Sequence, residues 1–167
     1  MQEYIRLIEK HKQVKKHIII TGDRGTGKTT LLGEARKNLV WLNLSPGLVT
    51  WAEPGKAVFA RALGSAEYAM VGEFDPSSNS TENRMRPVAE GFDGYGVLML
   101  ENLINSDSVW VTIDEIGYLE GASSAYLQKL DELFERKRVV AVVRKQDVKH
   151  INDIIRRADA FLIDLDC

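Results

Sequence analysis

The run Ile18-Ile19-Ile20 opens into Thr21-Gly22-Asp23-Arg24-Gly25-Thr26-Gly27-Lys28-Thr29-Thr30-Leu31-Leu32. A short β-branched run, then glycines, then a helix-forming stretch reads as strand, tight loop and helix. Gly22, Gly27, Lys28 and Thr29 carry the spacing G-x-x-x-x-G-K-[ST] of a phosphate-binding loop. Glycines let the backbone curl so that several N–H groups point at one anion. The helix that follows adds the positive end of its dipole. Gly22, Asp23, Arg24, Gly25, Thr26, Gly27, Lys28, Thr29 and Thr30 are therefore the candidate nucleotide-binding set. Lys28 can reach the β- and γ-phosphates, and the Thr29 hydroxyl suits Mg²⁺. Asp23 and Arg24 say less, although Arg24 is a candidate for offsetting phosphate charge.

A second constellation sits far downstream. Val109-Trp110-Val111-Thr112-Ile113 is an apolar run that ends in Asp114-Glu115. A buried strand of this kind holds a carboxylate at the carboxyl edge of the sheet, beside the phosphate loop. Asp114 is the candidate Mg²⁺ residue, acting through water, and Glu115 the candidate base for an attacking water. Arg144 and Lys145 follow the next apolar run, Val139–Val143, and are expected on the same edge. There they are candidate sensors of the γ-phosphate, or stabilisers of transition-state charge.

The rest of the chain alternates. A helix is expected over residues 2–11, a strand at 18–20, a helix at 27–37, and a strand or irregular connection at 39–44. Strands follow at 48–51, 57–63 and 68–74. Residues 75–96 read as irregular, interrupted by Gly91, Gly94 and Gly96 and containing Arg84 and Arg86. A helix from Tyr95 to about Asn105, the strand to Ile113, a helix capped by Ser123 or Ser124, the strand 139–143, a helix at 148–157 and a strand at 160–165 complete the series. Strands alternating with helices predict a largely parallel α/β sheet with right-handed crossovers. At 167 residues one domain, 1–167, is expected, with 64–96 an irregular insertion or lid.

Composition narrows the partners. A net charge of −2 gives no bulk attraction to nucleic acid or anionic membrane, so neither is an expected partner. Cys167 has no intrachain partner, which excludes a disulfide scaffold and fits a cytoplasmic location. No apolar run approaches the ~18 residues of a membrane span, and no signal-peptide pattern opens the chain. Asn79-Ser80-Thr81 matches a glycosylation acceptor and reads as a chance match in a loop.

With both constellations in view, the chain resembles the small P-loop nucleoside-triphosphatases first known from thermophiles, also named cancer-related nucleoside-triphosphatase. The markers are Gly22–Thr30, Gly47-Leu48-Val49-Thr50, Gly94-Tyr95-Gly96-Val97, Ile113-Asp114-Glu115-Ile116-Gly117-Tyr118-Leu119-Glu120, and Val139–Val143 followed by Arg156-Arg157. The resemblance implies a three-layer P-loop NTPase fold with an extra strand between the Walker A and Walker B strands. It implies Mg²⁺-dependent hydrolysis of ATP and other nucleoside triphosphates. By motif position, Lys28 binds phosphate, Thr29 and Asp114 serve the metal, and Glu115 activates water. Three other readings stay open: a P-loop kinase for a nucleoside or small molecule, a nucleotide-binding regulatory module, and a GTPase switch. The last rests on Asp114-Glu115-Ile116-Gly117 as D-x-x-G and on Arg144-Lys145-Gln146-Asp147 as a near match to N-K-x-D.

Overall fold

The apolar runs become strands of one sheet. In the computed structural model, which describes residues 1–80 and 84–167, the chain runs α1 (Gln2–His11), β1 (His17–Thr21), α2 (Lys28–Asn38), α3 (Val40–Asn43), β2 (Gly47–Glu53), β3 (Ala57–Ala62), β4 (Ala69–Phe74) and β5 (Met85–Pro87). It continues through α4 (Ala89–Gly91), a π turn (Phe92–Gly96), α5 (Val97–Asn105), β6 (Trp110–Ile116), a 3-10 turn (Tyr118–Ala122), α6 (Ser124–Arg136), β7 (Arg138–Val143), α7 (Lys149–Ile155) and β8 (Ala160–Asp164). The strand order is β5-β4-β3-β2-β6-β7-β1-β8. From β2 to β8 neighbouring strands run parallel; from β2 to β5 they run antiparallel. β7 lies between β1 and β6, so the expected extra strand separates the glycine-loop strand from the Asp114 strand.

Strand alternation divides the core into two faces. Ile18 and Ile20 of β1 pack with Leu31, Leu32 and Ala35 of α2 and with Ile5 and Ile8 of α1. Ile19 faces the other way, toward Leu100 of α5, Leu133 and Phe134 of α6, and Ile151 of α7. Helices thus cover both faces of the parallel strands, which makes three layers, and the strands read as continuous apolar runs for that reason. Every residue of β1 is buried. Among the described residues, no helix is long and apolar enough to cross a membrane.

Three local expectations are corrected. Residues 39–44 are neither strand nor irregular; α3 forms there. A strand would put Val40, Leu42 and Leu44 on one face, but Leu42 is buried while Val40 and Leu44 stand in solvent. Arg36 fixes the turn by donating to Thr112 Oγ1 (3.0 Å) and to the Ser45 carbonyl (2.7 Å). Residues 75–96 are more regular than expected. β5 pairs with β4, and one helical stretch runs from Ala89 to Asn105. Its glycines serve close approach rather than interruption: a Cβ on Gly91 would lie 2.0 Å from the Met70 carbonyl oxygen, and one on Gly96 3.0 Å from the Tyr126 ring. Finally, β6 does not stop at Ile113 but runs on through Asp114 and Glu115 to Ile116. Residues 81–83 of the 64–96 segment, with Thr81 of the Asn79-Ser80-Thr81 triplet, lie outside the described residues.

Candidate active site at the carboxyl edge of the sheet

The glycine loop leaves β1 at Thr21, whose hydroxyl donates to the Val143 carbonyl of β7 (2.9 Å) and fixes the two strand ends together. Gly25 and Gly27 adopt φ of 80° and 93°, a left-handed conformation that a side chain would strain. Gly27 then opens α2. The first turn of α2 has no side-chain cap and no acidic residue, so nothing from the helix itself offsets its exposed N–H groups. Exposed N–H groups at a helix N-terminus, with no carboxylate beside them, suit an anion.

Lys28 is buried, and its ammonium donates to the carbonyls of Gly22 (2.9 Å) and Asp23 (2.7 Å). Thr26 closes the loop on itself by donating to the Asp23 carbonyl (2.9 Å). Next to Lys28, the Thr29 hydroxyl donates to Asp114 Oδ1 (3.0 Å), which joins the two motifs across 85 residues of chain. Burial pushes the Asp114 carboxyl above its ordinary pKa, against the pull of Thr29 and Lys28. A threonine hydroxyl and one carboxylate side by side are the protein's usual share of a Mg²⁺ site, the remaining positions going to water and phosphate oxygens.

Glu115 is the extra residue in a shifted register. Asp114 pairs with Val142, but the next pairing is Ile116 with Val143. The shift frees Glu115 from strict alternation. Its backbone N–H donates to Thr50 Oγ1 (3.1 Å), and its carboxylate meets Arg144 Nε at 3.8 Å. Burial raises its pKa; Arg144 pulls it back down. Glu115 and Asp114 therefore share one edge with different partners, Arg144 for the first and Thr29 for the second.

Arg144 and Lys145 diverge. Arg144 lines the same cleft as Lys28, Asp114 and Glu115. Lys145 turns away to Asp164 and Asp166, at 2.9 Å from each, and lines a smaller hollow instead. The main cleft measures about 810 Å³. Arg24, Gly25, Gly27, Lys28, Thr29 and Thr30 form its polar end, while Gly22 and Asp23 face the small hollow. Trp51, Val58, Val71, Phe74 and Met85 from β2–β5 wall the other end. Asp147, which a guanine-reading motif would need, accepts from Asn152 Nδ2 (2.8 Å) and lines neither cavity.

Sequence reasoning gave no role to Glu120 or Thr50. Glu120 is buried, and its carboxylate accepts from the Gly117 N–H (2.9 Å) at the start of the 3-10 turn that follows Glu115. Burial holds its pKa up at about 8. His150 Nε2 meets the Gly117 carbonyl at 2.7 Å, so the turn is gripped from both sides. Both residues stand inside stretches that carried the resemblance; what was missing was any sign of what they touch.

A family model described as NTPase matches residues 55–166. The chain belongs to this family. The matched stretch contains Asp114, Glu115, Glu120 and Arg144 and begins after the glycine loop. Among solved structures, THEP1 from the hyperthermophile Aquifex aeolicus is similar at 23% identity and a TM-score of 0.71, over 89% of each chain. A human cancer-related nucleoside triphosphatase is similar at 20% identity and a TM-score of 0.65, over 89% of this chain and 87% of that one. No curated protein matches the chain. The NTPase-family member described here thus has the P-loop NTPase fold, with the glycine loop and the Asp114 strand on the same edge.

Proposed function

We propose that this NTPase-family protein is a Mg²⁺-dependent nucleoside-triphosphatase that hydrolyses ATP, and other nucleoside triphosphates with little regard for the base, to diphosphate and phosphate. The observation that carries the reading is the Thr29–Asp114 contact, with Lys28 on one side and Glu115 on the other. The first turn of α2 and the loop N–H groups bind the phosphates. Lys28 balances charge on the β- and γ-phosphates. Thr29 and Asp114 would hold Mg²⁺, which would supply positive charge to offset that of the phosphates. Glu115 accepts a proton from the attacking water. Its burial makes the carboxylate a stronger base, while Arg144 keeps it ionised. Arg144, which lines the same cleft, is a further cation for charge that develops on the transferred phosphoryl group. Broad base tolerance follows because the groups named all address phosphate.

A second reading, transfer of the phosphoryl group to a small-molecule hydroxyl, draws on the apolar end of the cleft, which extends past Glu115 to β5. One assay separates the two. Phosphate release is measured for a panel of nucleoside triphosphates, with and without Mg²⁺ and with and without candidate acceptors. Hydrolysis is expected with each base, lost on chelation, and lost in Lys28→Ala. Release that depends on an acceptor would favour the transferase, and a strong GTP preference abolished by Asp147→Asn would favour the switch. Binding without turnover would leave a regulatory module.

A further inference from the structure

Lys145 follows Arg144, yet it is paired away from the main cleft. Its ammonium donates to Asp164 Oδ2 and Asp166 Oδ2, both at 2.9 Å. Asp166 in turn faces the glycine loop. Its Oδ1 and Oδ2 accept from the Asp23 N–H at 3.1 and 2.9 Å, and a Cβ on Gly22 would stand 3.4 Å from Asp166 Oδ1. Two backbone N–H groups help seat the carboxylate: that of Asp166 donates to the Asp164 side chain at Oδ1 (3.1 Å), and that of Leu165 donates to the Thr21 carbonyl (2.9 Å). The end of β8 is thus laced to the first turn of the loop.

This placement has a chemical difficulty. A carboxylate is a strong acceptor for a backbone N–H and can fix the turn at Asp23. It is also an anion beside a loop that, on the reading above, receives a triphosphate. An unbalanced carboxylate there repels the ligand. A cation shared between Asp164 and Asp166 removes much of that repulsion. We infer that Asp166 is a positioning residue that holds the outer turn of the glycine loop in its triphosphate-binding shape, and that Lys145 is the counter-ion that lets it do so. Lys145 therefore acts on phosphate binding through Asp166 and does not contact the nucleotide. The inference rests on the triphosphate reading of the loop.

The test is a second-site rescue. Affinity for a non-hydrolysable ATP analogue is measured by titration calorimetry in Mg²⁺ buffer for the parent, Lys145→Met, Lys145→Arg and the double variant Lys145→Met/Asp166→Asn. Lys145→Met is expected to bind about five- to tenfold more weakly, the scale of one unbalanced charge near the site in a high-dielectric setting. The deficit should shrink as salt is raised. Lys145→Arg should retain most of the affinity. The double variant should recover most of what Lys145→Met loses, since the amide oxygen introduced by Asp166→Asn still accepts from the Asp23 N–H without the charge. Hydrogen exchange at the Asp23 amide, slow in the parent and fast in Asp166→Ala, checks the anchor without nucleotide. Parent-like binding by Lys145→Met overturns the inference. So does a double variant as weak as the single one, which would put Lys145 on the nucleotide itself. A parent that binds no triphosphate overturns the reading of the loop, and the role of the brace with it; the other failures leave that reading intact.

Discussion

β6, β7 and β1 run parallel and lie under helices on both faces; β6 carries Asp114 and Glu115 near its carboxyl end, Arg144 follows β7, and the glycine loop follows β1. β3, β4 and β5 run antiparallel, expose Arg61 and Met70, and give the same cleft Val58, Val71, Phe74 and Met85. The first group can hold charge because its strand ends are fixed from both sides: Thr21 ties β1 to β7, and Thr29 ties α2 to β6. The second group is held by its antiparallel ladders and by an aromatic cluster that reaches across to β2. The rings of Trp51, Phe59 and Tyr68 meet at centroid distances of 5.5–5.8 Å, and Arg61 sits over Trp51. The contrast teaches where the protein spends rigidity. The charged groups that line the cleft sit at the ends of doubly covered strands, and the antiparallel extension supplies its apolar wall.

The contrast breaks most sharply at Glu115. Glu115→Gln keeps the shape and the Thr50 bond but cannot take a proton. Single-turnover hydrolysis should fall ~10²–10⁴-fold, with nucleotide affinity retained. A variant that turns over like the parent would make Glu115 structural and leave the parallel half without its base.

Glu120 sharpens the same point, because here a carboxyl on the parallel half must stay uncharged. The unfolded side chain ionises above about 4.5, whereas the folded one keeps its proton up to about 8. Unfolding therefore releases a proton between these limits, and this residue's contribution to stability falls as pH rises through the window. Glu120→Gln does not titrate and still accepts from Gly117. Its melting temperature should match the parent near pH 4 and exceed it by on the order of 5–10 °C at pH 8. Parallel melting curves for parent and variant across pH 4–9 would show that burial does not hold the proton.

On the antiparallel side the effects should be smaller and should fall on stability. Trp51→Ala removes two ring contacts and the Arg61 stack, at a cost of about 1–3 kcal/mol in denaturant unfolding. Turnover by the folded fraction should fall less than tenfold; a loss as large as that for Glu115→Gln would erase the division between the halves. The smallest change is Tyr118→Phe. The Tyr118 hydroxyl donates to the Met85 carbonyl and fastens β5 to the turn after β6. Its removal should cost about 0.5–1.5 kcal/mol, read as faster amide exchange confined to β4 and β5. Faster exchange in β6 or β7 instead would mean that the halves are not separable.

The same division governs what could be read from the chain. The Ile18–Ile20 and Val139–Val143 runs announce strands covered on both faces, and the glycine spacing announces its loop, because local sequence suffices for both. The sequence also brought Thr29 and Asp114 to one edge. It did not foretell that β6 carries Asp114 and Glu115 inside the strand, since the shift against Val142 and Val143 is a property of the pair. Gly91 and Gly96 looked like interruptions because their reason, the Met70 carbonyl and the Tyr126 ring, lies in other elements. Nor did the sequence foretell that Lys145 meets Asp164 and Asp166, 19 and 21 residues on, which the β8 pairing brings beside it.

The uncapped first turn of α2 has one more consequence. A helix that begins without a cap or an acidic residue leaves part of the folded state's stability to whatever anion arrives. Binding to the folded state alone adds about 2.7 kcal/mol when free ligand stands at a hundred times its dissociation constant. The ligand is in that sense a removable piece of the helix. The protein's melting temperature should then climb with nucleoside triphosphate concentration.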